Sequence, residues 1–240
     1  MNVLTRLWDH VYASQPAPPA WVVGVTALAA LLVVLNTASW RLAGQVITIA
    51  HEGGHALVSV LSGRRLEGIR LHADSSGVTY SRGKRRGPGL ILTSAAGYLT
   101  PPLLGAGAAA LLAARHPAAL LWLALVLLAA TFLAVRNAFG ALAVLVTAAG
   151  VFAVSYYASA AVQAGFAYLA AWFLLLGGMR PALELTRRRS GSRSVSGSRS
   201  GLSDADQLAR LTGVSRGVWV AAFLLIATAA LALGARLLIP

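Results

Sequence analysis

A chain whose apolar residues come in blocks of about twenty has few folds open to it, because such a block is the length of a helix crossing a bilayer's hydrocarbon core. About seven blocks run through these 240 residues, at roughly 21–38, 42–62, 89–113, 118–135, 138–154, 157–178 and 217–238. The fifth is short, and merging it with the fourth around Arg136 gives six. Alternating strand-like stretches are scarce and glycine is frequent (24 residues), which fits a helical bundle in lipid better than a barrel. The expected fold is an all-α polytopic membrane protein with about seven transmembrane helices.

Charge supports that reading. Hydrophobic residues make up 58% of the chain and charged ones only 11%, outside the usual range for a soluble domain. The net charge of +13 would suggest a nucleic-acid partner in a soluble protein. In a membrane protein, the tendency of cytoplasmic loops to hold Lys and Arg explains it, and no nucleic acid is needed. With the N-terminus in the cytoplasm, Arg6, the 64–86 loop, Arg136 and the 180–216 segment all lie inside, leaving Arg41, Arg115 and Arg236 outside. This makes the expected protein a multi-pass protein of the cell membrane. Cysteine is absent, so disulfides and thiolate metal sites are excluded. Residues 1–20 carry Asp9 and His10 and lack the layout of a signal peptide.

Three segments outside the apolar blocks have their own signatures. Between Arg64 and Arg86, β-prone runs (Gly68-Ile69-Arg70-Leu71 and Val78-Thr79-Tyr80) flank the turn-rich His72-Ala73-Asp74-Ser75-Ser76-Gly77, which predicts a small cytoplasmic β-hairpin. Ser190 to Ser200 is a Ser/Gly/Arg repeat with nothing to bury, a flexible linker. Leu202 to Thr212 reads as a short helix capped by Ser203, with Asp204 and Asp206 in its first turn. The chain therefore divides into an N-terminal cytoplasmic segment (1–20), a membrane core (21–180) holding the 42–62 helix and the 64–86 hairpin, a basic linker (181–201), and a short helix with the last span (202–240).

The chemistry concentrates at His51-Glu52-Gly53-Gly54-His55, inside the second apolar block. Ionisable side chains in a membrane helix are rare and mark function. Two histidines four apart share a helix face and can reach one zinc ion, while the glutamate between them can act as general base on the attacking water and return the proton to the leaving amine. The Gly-Gly pair lets a neighbouring helix or a substrate come close. The bland alternative is a pair of pore-lining or hydrogen-bonded core histidines, but those would need polar partners that this chain scarcely offers.

Catalytic zinc takes three protein ligands and keeps one position open. The remaining candidates are Asp9, His10, Glu67, His72, Asp74, His116, Glu184, Asp204 and Asp206. His116 falls on the outer side, Asp9 and His10 precede the first span, and Glu67 and Asp74 sit in a solvated hairpin. Asp204 and Asp206 are on the right side and can fold back toward the metal. One of them is expected to serve as a helix cap, and Asp204 is favoured as the third ligand with Asp206 next. Asn137, in Arg136-Asn137-Ala138-Phe139-Gly140, can donate and accept, and is a candidate for substrate binding or for steadying the metal shell; an interfacial turn residue is the alternative. Gly97, Gly105 and Gly107, with Pro101-Pro102 between them, suggest a broken or closely packed third span.

HEGGH within a span, followed by a hairpin, resembles the site-2 protease family of intramembrane zinc metallopeptidases. The HEGGHALV, RNAFG and SDADQLARLTGV stretches are similar to those of its compact bacterial, peptidase M50B-like branch. The resemblance implies His51 and His55 as zinc ligands and Glu52 as the catalytic residue. The family's usual third ligand is an aspartate in an LDG motif, commonly preceded by Asn-x-x-Pro; this chain has no LDG, and no such proline follows Asn137. No PDZ domain is present. The expected activity is hydrolysis of peptide bonds in or near transmembrane segments of membrane proteins, with the hairpin edge holding an extended substrate by strand addition. Rival readings are a catalytically inactive regulatory protein of the same fold and a transporter using the His/Glu cluster as a proton or metal relay.

Overall fold

The computed structural model describes residues 14–187 and 202–239; Asp9, His10 and the Ser190–Ser200 repeat lie outside them. Among the described residues are eight helices and one two-stranded sheet: α1 (Ala20–Leu35), α2 (Thr37–Leu61), β1 (Arg65–Leu71), β2 (Gly77–Arg82), α3 (Pro88–Ala113), α4 (Pro117–Ala134), α5 (Ala138–Tyr157), α6 (Ala160–Arg187), α7 (Asp204–Thr212) and α8 (Arg216–Leu238). The mainly helical fold and the hairpin after the HEGGH helix are as expected.

Fewer than seven helices have the length and apolarity of a membrane span. Five helices (α3, α4, α5, α6 and α8) are each long and apolar enough to cross a membrane, and a sixth crossing exists only if α1 and α2 count as one broken unit, bent by 102°. Two features of sequence explain the difference from seven. Arg41, Gln45, His51, Glu52 and His55 make α2 too polar, while α1, at 16 residues, spans only about 24 Å. Asn36 makes the break: its backbone is extended, and its side-chain oxygen accepts from the N–H groups of Ala38 and Ser39 to start α2. The Arg180 guanidinium reaches the Val34 carbonyl and lies 4.5 Å over the Trp40 ring, fastening the bend to α6. The merger around Arg136 does not occur, since Val135–Asn137 separates α4 from α5.

The described part of the chain begins far from the hairpin. The Gln15 N–H donates to the Arg115 carbonyl at the α3–α4 turn, 2.9 Å away. That turn lies at the end of α3 away from the hairpin, so α1 begins at the opposite end of the bundle from the 64–86 loop.

The hairpin is antiparallel, pairing Leu71 with Gly77 and Arg65 with Arg82, with a bulge between Leu66 and Gly68. Its turn is tied by Asp74, which accepts from the Ser76 N–H and hydroxyl. Ile69 and Leu71 are fully buried against Ile49, Ala56, Val135 and Val144, so β1 is fixed to α2, α4 and α5. The centre of the bundle is α3, α6 and α8. There Pro101 and Pro102 are buried within α3, and Gly178 of α6 leaves room for the Pro102 ring; a Cβ at Gly105 would strike Leu175, whereas Gly107 faces open space. The close packing expected of the third span is therefore real at Gly105. Ser203 caps α7 in a reciprocal box with Asp206, and Ala205 and Leu208 bury that helix against Ala95, Leu185, Val220 and Phe223.

Candidate metal centre

α2 brings His51 and His55 one turn apart, with their Nε2 atoms 3.2 Å from each other. α7 then delivers Asp204, whose Oδ2 lies 3.2 Å from His51 Nε2 and 3.1 Å from His55 Nε2. The three atoms form a nearly equilateral triangle, contributed from opposite ends of the sequence. Ligands held at ~2.0–2.1 Å around a tetrahedral ion stand ~3.3 Å apart, so this triangle has the size zinc requires.

The surroundings bias the donors the same way. His55 Nδ1 is 2.6 Å from the Thr93 carbonyl, which can only accept; Nδ1 therefore carries the proton, and Nε2 faces the triangle as a lone pair. An ionised carboxylate and imidazole lone pairs crowded together are a donor set that a cation satisfies. Tyr98 fixes His51, edge to face at 4.8 Å, and is itself stacked on Phe223 of α8.

Gly97 of α3 sets the free space. A Cβ there would stand 2.4 Å from His55 Nε2 and 2.5 Å from His51 Nε2, in the volume an ion and its open position need. At Gly54 of the motif a Cβ would overlap Thr100, so that glycine is what lets α3 come near enough to bring Gly97 over the histidines. The predicted role of the Gly-Gly pair holds for Gly54 and the neighbouring helix; Gly53 makes only an ordinary contact, with Thr131.

Glu52 is 4% exposed and lies under β2. The Thr79 hydroxyl stands 2.7 Å from its Oε2, and a Cβ at Gly77 would strike its carboxyl group. The hairpin tip is tied to the same helix, the Thr48 hydroxyl donating to the Ser75 carbonyl at 2.8 Å. One cavity of about 690 Å³ joins these parts, lined by His51, Glu52, His55 and Asp204 together with β2 residues Gly77 to Ser81.

The other sequence candidates are placed elsewhere or given other partners. Asp206 completes the cap of α7 and pairs with Arg216 at 3.2 Å. Glu67 pairs with Arg82, and Glu184 with Arg180. His116 precedes the first turn of α4, at the far end of the bundle, without a side-chain capping bond. Asp74 and Glu184 reach the cavity rim, but neither joins the triangle. Asn137 is absent from the cavity lining: its amide nitrogen donates to the Leu71 carbonyl at 2.7 Å and its oxygen accepts from the Leu71 N–H at 3.1 Å. Gly97, Thr79, Gly77 and Tyr98 are site residues that sequence reasoning either read as packing or passed over. For Gly97 the available signal was a glycine in a predicted span; nothing in the sequence pointed to Thr79.

The family model described as Peptidase M50B-like matches residues 24–234 of the chain. No curated protein and no solved structure matches it.

Proposed function

This chain belongs to the Peptidase M50B-like family, and from that premise we propose that it is an intramembrane zinc metallopeptidase that hydrolyses peptide bonds in or beside transmembrane segments of other membrane proteins. The observation that carries the proposal is the triangle of His51, His55 and Asp204, with edges of 3.1–3.2 Å, beside a buried glutamate. The apolar helices and the family together make the chain a multi-pass membrane protein. We place it in the cell membrane, with the hairpin on the cytoplasmic side, where the basic residues gather.

His51, His55 and Asp204 would hold zinc, which supplies Lewis acidity to water and to the scissile carbonyl. Glu52 takes the proton from the attacking water and passes it to the departing amine. The Thr79 hydroxyl, donating to Oε2, holds the carboxylate in one orientation, and burial keeps bulk water from competing for it. A peptide must be extended for its amide to reach the site. β1 is already covered on one side, where Ile69 forms a parallel bridge to Val135. The outer edge of β2 borders the cavity, and a substrate segment docks there by strand addition. The partners are thus a membrane-protein substrate and the bilayer, with no nucleic acid.

Cleavage of a membrane-protein substrate by purified protein in lipid nanodiscs tests this reading. Zinc-dependent cleavage abolished by Glu52→Gln is expected; cleavage that continues unchanged in that variant would refute the assignment.

A further inference from the structure

The RNAFG stretch takes no part in the cavity, and its surroundings form a second recess. Val135–Asn137 lies along the outer edge of β1: Ile69 bridges to Val135, the Arg136 N–H donates to the Ile69 carbonyl at 2.8 Å, and the Asn137 amide brackets the Leu71 backbone. This docking sends the Arg136 side chain across β1 at its bulge. Gly68 makes the crossing possible, with a φ of 149° and a missing Cβ that would stand 2.3 Å from Arg136 Cγ. Arg136 thereby meets Arg65, Glu67 and Arg82 around an open recess of about 390 Å³.

The charge in that recess is unbalanced. Glu67 is matched with Arg82. Arg65 makes no side-chain bond among the described residues, and Arg136 bonds only the carbonyls of Leu133 and Val135 at the end of α4. Two guanidinium groups are left facing the recess without an acidic partner. Their position is as informative as their charge: α4 ends at Ala134 and α5 begins at Ala138, both candidate membrane spans. On these two helices Leu133 and Leu142 are 74% and 60% exposed. Cations just beyond an apolar belt sit at the depth of phospholipid headgroups.

We propose that this recess binds the phosphate of an anionic membrane lipid, with Arg65 and Arg136 as its ligands and the acyl chains lying along α4 and α5. Guanidinium forks suit phosphate oxygens. The site is separate from the metal centre, so the inference stands whether or not the chain cleaves peptides.

The test uses full-length protein in detergent, with retained lipid counted by native mass spectrometry against phosphatidylglycerol and phosphatidylcholine of matched acyl chains. Wild type should hold one phosphatidylglycerol in preference to phosphatidylcholine. Arg65→Gln with Arg136→Gln should weaken that binding about 25-fold, and Arg65→Gln alone, which breaks no internal bond, about 5-fold. Arg136→Lys should retain most of it. Undiminished phosphatidylglycerol binding in the folded single and double variants would overturn the site. Inorganic phosphate binding as tightly as the lipid, at the same arginines, would overturn the lipid assignment.

Discussion

α3 and α6, which flank the cluster of His51, His55 and Asp204, each bury half of their most apolar stretch inside the protein, whereas α4 and α5 bury 22% and 17% of theirs. The difference separates two kinds of membrane helix. The central pair uses Gly97, Gly105 and Gly178 to bring backbones, rings and imidazoles together, so single atoms decide what fits. The outer pair presents Val126, Leu133, Leu142 and Val146 outward, where a lipid tail replaces a protein neighbour at little cost. Stability and chemistry should therefore be sensitive to side-chain size near α3 and tolerant of it on the faces of α4 and α5.

Substitutions on the two sides can break that contrast. The largest effect belongs to Glu52→Gln, a near-isostere that cannot take a proton: turnover of a membrane substrate should fall ~10²–10⁴-fold with zinc content unchanged. Next comes Asp204→Ala, which should weaken zinc binding more than about 100-fold in competition with a chelator, exceeding the usual loss from an outer-shell change. Gly97→Ala should lower zinc affinity at least about tenfold by filling the space beside both Nε2 atoms, with the melting temperature little changed. Full zinc affinity in that variant would show that α3 yields there, and the contrast would lose its sharpest point. Asp206→Ala should cost about 1 kcal/mol of stability through the lost cap, read in thermal denaturation, and should retain zinc. The smallest change is expected for Leu142→Ala on the lipid face, within about 0.5 kcal/mol.

Legibility from sequence follows the same division. Apolar blocks announce α3 to α6 and α8 because lipid demands long runs of hydrophobic residues, and HEGGH announces the two histidines by spacing alone. Ser203 was readable as a cap, but which of Asp204 and Asp206 turns toward the histidines and which completes the cap depends on how α7 docks. The bend at Asn36 was not readable, since an asparagine between two apolar runs looks like a loop between spans. Gly97 was visible only as a glycine among alanines, because its meaning depends on which helix crosses it and at what height. Thr79 and Gly77 meet Glu52 across a turn whose docking no local pattern encodes.

The central claim is that His51, His55 and Asp204 form one zinc site, and metal content tests it most directly. Full-length protein, purified without added metal and measured by elemental analysis, should carry one zinc per chain, and the His51→Ala/His55→Ala double variant should carry none while keeping its helical circular dichroism. Equal zinc in the two proteins, or none in the folded wild type after zinc is supplied, would contradict the account.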